Sequence, residues 1–242
     1  MKALISTTIL LLLFCSNAKS QPYSYKGSEL ITIVFQTSPD LLKKLVPEPV
    51  IANPGGIMVI AIGVQRMESG ISYHEMYFAI PSAANGKEGL FIPILYLDKA
   101  LPLYLGREIW GFPKYEAELN YSKDEKKVAA SIHKDGKLLI EVAIELENSV
   151  SDMKAADPLV FVLKYIPSAE EGSIDVKKIN SVIMANYTYT KYQQGLAKLI
   201  INNIPDASIG EIPIYKILDA SYSEVNFILG FGKTEYDYLK QK

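Results

Sequence analysis

One lysine stands out by its neighbours. In Gly106-Arg107-Glu108-Ile109-Trp110-Gly111-Phe112-Pro113-Lys114, Lys114 closes an uncharged Trp-Gly-Phe-Pro run. A lysine amine attacks a carbonyl carbon only after losing its proton. At the ordinary pKa of about 10.4, roughly one amine in 2,500 is neutral at pH 7. Apolar, aromatic surroundings disfavour the ammonium form. A lysine so placed is suited to forming a Schiff base with a carbonyl compound. The competing reading is a surface lysine after a turn, because Gly-Phe-Pro is also good turn chemistry.

A carboxylate offers the complementary chemistry. Glu75 lies in the run ISYHEMYFAI at 71–80, which reads as a strand. Alternate strand side chains share a face, so Glu75 should point with Tyr73 and Tyr77, and His74 and Met76 the other way. Among tyrosines, a carboxylate can orient a substrate or exchange protons with it. Taken alone, Glu75 reads first as a solvated strand residue.

Composition excludes much else. Cys15 is the only cysteine, and His74 and His133 are the only histidines. Cys-based or His-rich metal sites are therefore ruled out, and no metal is expected. Net charge is −2, and no basic stripe suggests nucleic acid or an anionic membrane as partner.

The first twenty residues read as a secretory signal peptide. Lys2 gives a positive start, Ile9 to Phe14 an apolar centre, and Ala18-Lys19-Ser20 a cleavage pattern before Gln21. The apolar stretch is too short to span a membrane. Lipid attachment at Cys15 competes, though Phe14 is a poor fit before a processed cysteine. Cleavage leaves 23 basic and 27 acidic residues, a net charge of −4, and no cysteine. The expectation is an exported protein whose residues 21–242 form one domain. Its size gives a core that needs no disulfides.

Strands must position the lysine and the carboxylate. Apolar, β-branched runs predict strands at 29–37, 56–65, 71–80, 90–97, 115–121, 127–133, 137–146, 157–166, 174–190, 196–201 and 221–229. Asn85-Gly86 and Asp135-Gly136 are hairpin signals. Pro93 suggests an edge or bulge in its run. Ser38-Pro39 opens a short helix at 39–45 that Pro47 ends. A second helix candidate lies at 234–240. Many short strands with turn signals argue for a mostly β chain, an antiparallel sandwich or barrel.

The order of short motifs is also informative. Val46-Pro47-Glu48-Pro49 is followed by the strand carrying Glu75, then Tyr96-Leu97-Asp98. Gly106-Arg107-Glu108 leads to Phe112-Pro113-Lys114, and the chain closes on Tyr236-Asp237-Tyr238-Leu239. Over residues 25–239 this resembles the acetoacetate decarboxylase family. The resemblance implies a mostly β (β-rich α+β) fold, an antiparallel, closed or nearly closed β-barrel with a few short helices, assembled as a homo-oligomer. It implies Schiff-base decarboxylation of a β-keto acid without a cofactor. Lys114 falls on the family's nucleophile and Glu75 on an active-site carboxylate. Tyr73, Tyr77, Trp110, Phe112, Tyr115 and Ile60 are the expected substrate-binding residues. Arg107 and Glu108 are expected to be structural, in paired, buried interactions.

Three positions depart from the family. Tyr115 replaces a second lysine, whose charge would disfavour a neighbouring ammonium. Desolvation must then do that work. Ser28 replaces an arginine suited to a substrate carboxylate; Lys26 or Arg66 are the candidate substitutes. Ile60 replaces a second glutamate and makes the expected pocket more apolar. The leading expectation is an exported enzyme acting on a small keto acid or related carbonyl compound. The alternatives are a Schiff-base aldolase or dehydratase, and a non-catalytic binder of a small apolar ligand.

Overall fold

The computed structural model describes residues 22–150, 153 and 155–240. The signal-peptide and Cys15 readings lie outside the described residues. Strands dominate: β1 (Tyr23–Gln36), β2 (Ile51–Ala52), β3 (Ile57–Arg66), β4 (Ser72–Ala84), β5 (Lys87–Phe91), β6 (Leu95–Leu97), β7 (Lys114–Glu116), β8 (Glu118–Lys123), β9 (Lys127–Lys134), β10 (Lys137–Ser149), β11 (Leu159–Pro167), β12 (Ile174–Ile201) and β13 (Lys216–Asp237). Helix α1 (Pro39–Leu45) follows β1. Helix α2 (Ala100–Leu105) runs directly into a π-helical turn (Gly106–Trp110).

Local chemistry sets these boundaries. Ser38 Oγ accepts from the Leu41 N–H at 3.3 Å, capping α1. Asn85 and Gly86 have φ of 50° and 73° and join Ala84 to Lys87 as a two-residue turn. Asp135 and Gly136 do the same between β9 and β10. Both central residues need positive φ, the geometry of the turn that matches strand twist.

Four expectations need correction. The run 115–121 is divided at Ala117 between β7 and β8. The run 90–97 is not one strand. Pro93 has no N–H to donate, and the chain breaks there into β5 and β6. The segments 174–190 and 196–201 are parts of the single strand β12. Residues 234–237 are not helical but end β13, which pairs with β12 through Tyr236↔Ile179 and Asp237↔Lys178. Alternating polar and tyrosine residues suit that strand better than a helix.

The sheet runs β11-β5-β4-β3-β1-β13-β12-β10-β9-β8, and β11 also pairs with β12. The first seven strands therefore form a ring. Its weakest join is β11 with β5, a parallel contact of two residue pairs. Most other pairings are antiparallel, as expected of this mostly β architecture. Each sheet face meets a buried core over part of its extent. A larger core takes Ile31, Ile33, Phe35, Ile60 and Met76. A smaller one takes Tyr25, Leu30, Tyr73, Phe112, Phe227 and Leu229. Tyr25 and Leu30 differ in parity, yet both enter the smaller core. A bulge between Tyr25 and Ser28, with Gly27 at φ 63°, inserts the residue that brings them to one face.

Candidate active site

Lys114 reaches its place through the π-helical turn. The Gly106 carbonyl accepts from both Gly111 N–H (3.0 Å) and Phe112 N–H (3.1 Å), closing the turn. Gly111 leaves it at φ 92°, and a Cβ there would meet Lys164 Cβ at 2.3 Å, so only glycine fits. Lys164 Nζ donates to the Glu108 and Ile109 carbonyls. Trp110 Nε1 donates to the Gly230 carbonyl at 2.8 Å, and the Trp110 carbonyl accepts from Asn180 Nδ2 at 2.9 Å. Arg107 Nη1 donates to the Lys114 carbonyl at 3.0 Å. β7 then pairs with β6, setting Lys114 beside Leu95.

The amine enters a cavity in the smaller core. Its walls come from β1, β3, β4, β6, β12, β13 and the segments before β6 and β7. Tyr25, Tyr73, Tyr77, Phe112, Tyr187 and Phe227 give it an aromatic lining, and Leu30, Ile92, Leu95 and Leu229 an aliphatic one. The Lys114 side chain is 7% exposed and that of Glu75 10%. Lys114 Nζ donates to Glu75 Oε2 at 3.0 Å. The Tyr73 and Phe112 rings lie 5.6 and 5.8 Å from Nζ. Among the lining residues, Lys114 and Glu75 are the only ones that carry charge. Burial, and then the Glu75 charge, push the Tyr73 and Tyr77 hydroxyls far above their ordinary pKa. Both therefore stay as O–H donors. Tyr73 and Tyr25 hydroxyls lie 3.3 Å apart.

This arrangement can hold a carbonyl compound away from water, with a nucleophile, a proton acceptor and phenolic donors at hand. A family model described as acetoacetate decarboxylase (ADC) matches residues 15–239. The chain belongs to the acetoacetate decarboxylase family. The acetoacetate decarboxylase of Clostridium botulinum is 28% identical over 229 residues, covering 91% of each chain. That of Burkholderia multivorans is 27% identical over 226 residues, again 91% of each. The solved acetoacetate decarboxylase of Legionella pneumophila superposes with a TM-score of 0.77 at 25% identity, covering 91% of this chain and 89% of that one. The fold is also shared with the enduracididine biosynthesis enzyme MppR, solved with the condensation product of pyruvate and imidazole 4-carboxaldehyde. That match has a TM-score of 0.80 at 12% identity, with 91% of each chain covered.

The positions read from the decarboxylase family divide into two groups. Lys114, Glu75, Tyr73, Tyr77 and Phe112 line one cavity. Ile60, Tyr115 and Trp110 do not line it. Ile60 is fully buried in the larger core, on the opposite face of β3 from Gln65. Tyr115 follows Lys114 on a strand and so faces away from it. Its ring lies 6.1 Å from that of Tyr96 and 5.3 Å from Lys134 Nζ. Trp110 packs on Tyr23 and spends its polar groups on the turn. Ile60 and Tyr115 therefore contribute nothing to the lining of this cavity.

Ser28 is buried at the β1 bulge, where its Oγ accepts from the Arg66 N–H at 3.0 Å. Neither proposed substitute for the family arginine lines the cavity. Arg66 is bound to Glu29 at 2.5 Å, and Lys26 is exposed. Arg107 and Glu108 are exposed rather than buried, and Arg107 serves the Lys114 backbone. Sequence reasoning missed Gln65, which lines the cavity opposite Tyr73 in the β3–β4 register. Counting pairs outward from the turn at 67–71 would have exposed it. The contributions of β1, β12 and β13 carry no such local signal.

Proposed function

We propose that the protein is a Schiff-base lyase that uses Lys114, with decarboxylation of a small β-keto acid as its reaction. The carrying observation is the buried Lys114 amine, 3.0 Å from Glu75 in an otherwise uncharged, aromatic cavity. Glu75 takes the ammonium proton, and the neutral amine adds to the substrate carbonyl. Returning that proton to the carbinolamine oxygen releases water and leaves the protonated imine. The imine nitrogen accepts the electron pair of the breaking carbon–carbon bond as carbon dioxide departs. The enamine carbon takes a proton, and water then frees the ketone and the lysine. The aromatic walls favour a carboxylate losing its charge in this step.

A second reading has its own support. With a protonated imine, a Glu75 carboxylate and a substrate carboxylate, the cavity holds two anions and one cation. A neutral carbonyl substrate leaves it balanced, which favours aldol or dehydration chemistry at the same imine. Export with cleavage before Gln21, and assembly of identical subunits, belong to the same proposal. N-terminal sequencing and sedimentation of the secreted protein test them.

Borohydride reduction in the presence of acetoacetate and a panel of carbonyl compounds tests the central claim. The expected result is a mass adduct on Lys114, with carbon dioxide released from the β-keto acids. An adduct without carbon dioxide selects the second reading. No adduct at Lys114 across the panel overturns both and leaves a non-catalytic binder.

A further inference from the structure

Gln65 is buried, at 4% exposure, and borders the Lys114 cavity. Its Oε1 has no hydrogen-bond partner among the described residues. Lys114 is engaged with Glu75, and Tyr25 with Tyr73. A buried acceptor left without a donor is unfavourable, and native structures hold few of them. The terminal torsion of a glutamine is soft, so the amide turns toward a ligand at small cost. Gln65 stands opposite Tyr73 on β4, and Glu75 is two residues along the same face. Such diagonal neighbours are about 7–8 Å apart. Lys114 Nζ meets Glu75 at 3.0 Å, so the amine stands beside the diagonal neighbour of this amide.

We propose that Gln65 determines specificity by accepting a hydrogen bond from a hydroxyl group carried a few carbons from the carbonyl that Lys114 takes. This rests on the Schiff-base reading of Lys114. The substrate class is then a carbonyl compound that also bears a hydroxyl, which on the decarboxylase reading is a hydroxylated β-keto acid. An ionised carboxylate has no proton to donate, so an unsubstituted keto acid leaves Gln65 Oε1 unmet. Amide oxygen, imine nitrogen and Glu75 together define a donor–carbonyl spacing as the recognised pattern.

The test uses hydroxyacetone, 4-hydroxybutan-2-one and 5-hydroxypentan-2-one, each against the ketone lacking the hydroxyl. Half-maximal borohydride trapping on Lys114 is measured in the parent protein, Gln65→Leu and Gln65→Met. At one chain length the hydroxyketone should trap at a concentration about fivefold or more lower than its partner. That ratio should collapse in both variants, while their melting temperatures do not fall. Ligand-observed NMR binding of the same pairs to Lys114→Ala, which forms no imine, runs in parallel. A hydroxyl preference there, with no adduct from any ketone in the parent, sinks the Schiff-base reading and keeps the role of Gln65. Normal trapping with no preference at any length sinks the role of Gln65 and keeps the Schiff base. A preference that survives unchanged in both Gln65 variants also overturns the proposal, as does no preference by either readout.

Discussion

Gly106 leaves room for Lys114: a Cβ on Gly106 would stand 2.4 Å from Lys114 Cε and 3.0 Å from Nζ. The obstructing atoms belong to a side chain, so the lysine rather than the backbone gives way. Gly106→Ala should fold normally and lose activity by on the order of 100-fold, because an amine moved by about 1 Å is misaligned for attack. Circular dichroism and steady-state kinetics together check this. Wild-type kinetics in the alanine variant would refute it.

The buried pair of Lys114 and Glu75 makes a stability prediction distinct from the catalytic one. Lys114→Met strands the Glu75 carboxylate without a counter-ion, at a cost of about 3–5 kcal/mol. The double variant Lys114→Met/Glu75→Gln removes the stranded charge and should regain most of that loss. Urea denaturation of the parent, the single and the double variant measures the difference. Equal stabilities for the single and double variants would contradict the pairing.

Tyr115→Lys restores the family's residue type but not a cation in the cavity, since position 115 faces the larger core. The new ammonium would lie near Lys134, which sits 5.3 Å from the present ring. Stability should fall by about 1–3 kcal/mol, and the pH dependence of trapping at Lys114 should not move. A shift in that profile would show that charge at 115 reaches the lysine after all.

Acid should weaken the join between the β4–β5 hairpin and β13. Burial alone would raise the Glu235 carboxyl, but hydrogen bonds from Lys87, Ser181 and Asn85 and the Lys87 charge outweigh it and hold it at about 2. The folded value lies below the unfolded one of about 4.3. The contribution is therefore complete above that pH and is lost as pH falls toward 2. Glu235→Gln should flatten the fall in stability between about pH 4.3 and 2. Parallel acid profiles for parent and variant would count against the assignment.

Much of this was legible in the sequence because it is local. Glu75, Tyr73 and Tyr77 followed from two-residue periodicity, the Asn85-Gly86 turn from its φ demands, and Lys114 from the run before it. Ile60 and Tyr115 were assigned to the wrong face, because which side of a strand meets the cavity depends on partners elsewhere in the chain. Helix α2 and the π-helical turn were missed: Pro102 and Gly106 interrupt the apolar pattern that marks a helix. The continuous β12 reads as two segments because polar residues such as Gln193 and Gln194 interrupt it where it changes neighbours.

The pairing of β1 with β13 brings Tyr25 against Phe227, so the cavity is walled by residues from the two ends of the chain. Such pairings are slow to form, because a long loop must close before they hold. A nascent chain that has produced Lys114, Glu75 and the π-helical turn still has no enclosure for them. Until β13 arrives, the amine and the Glu75 carboxylate lack the wall that Phe227 and Leu229 supply. On the proposed function, the site is therefore completed only when β13 docks.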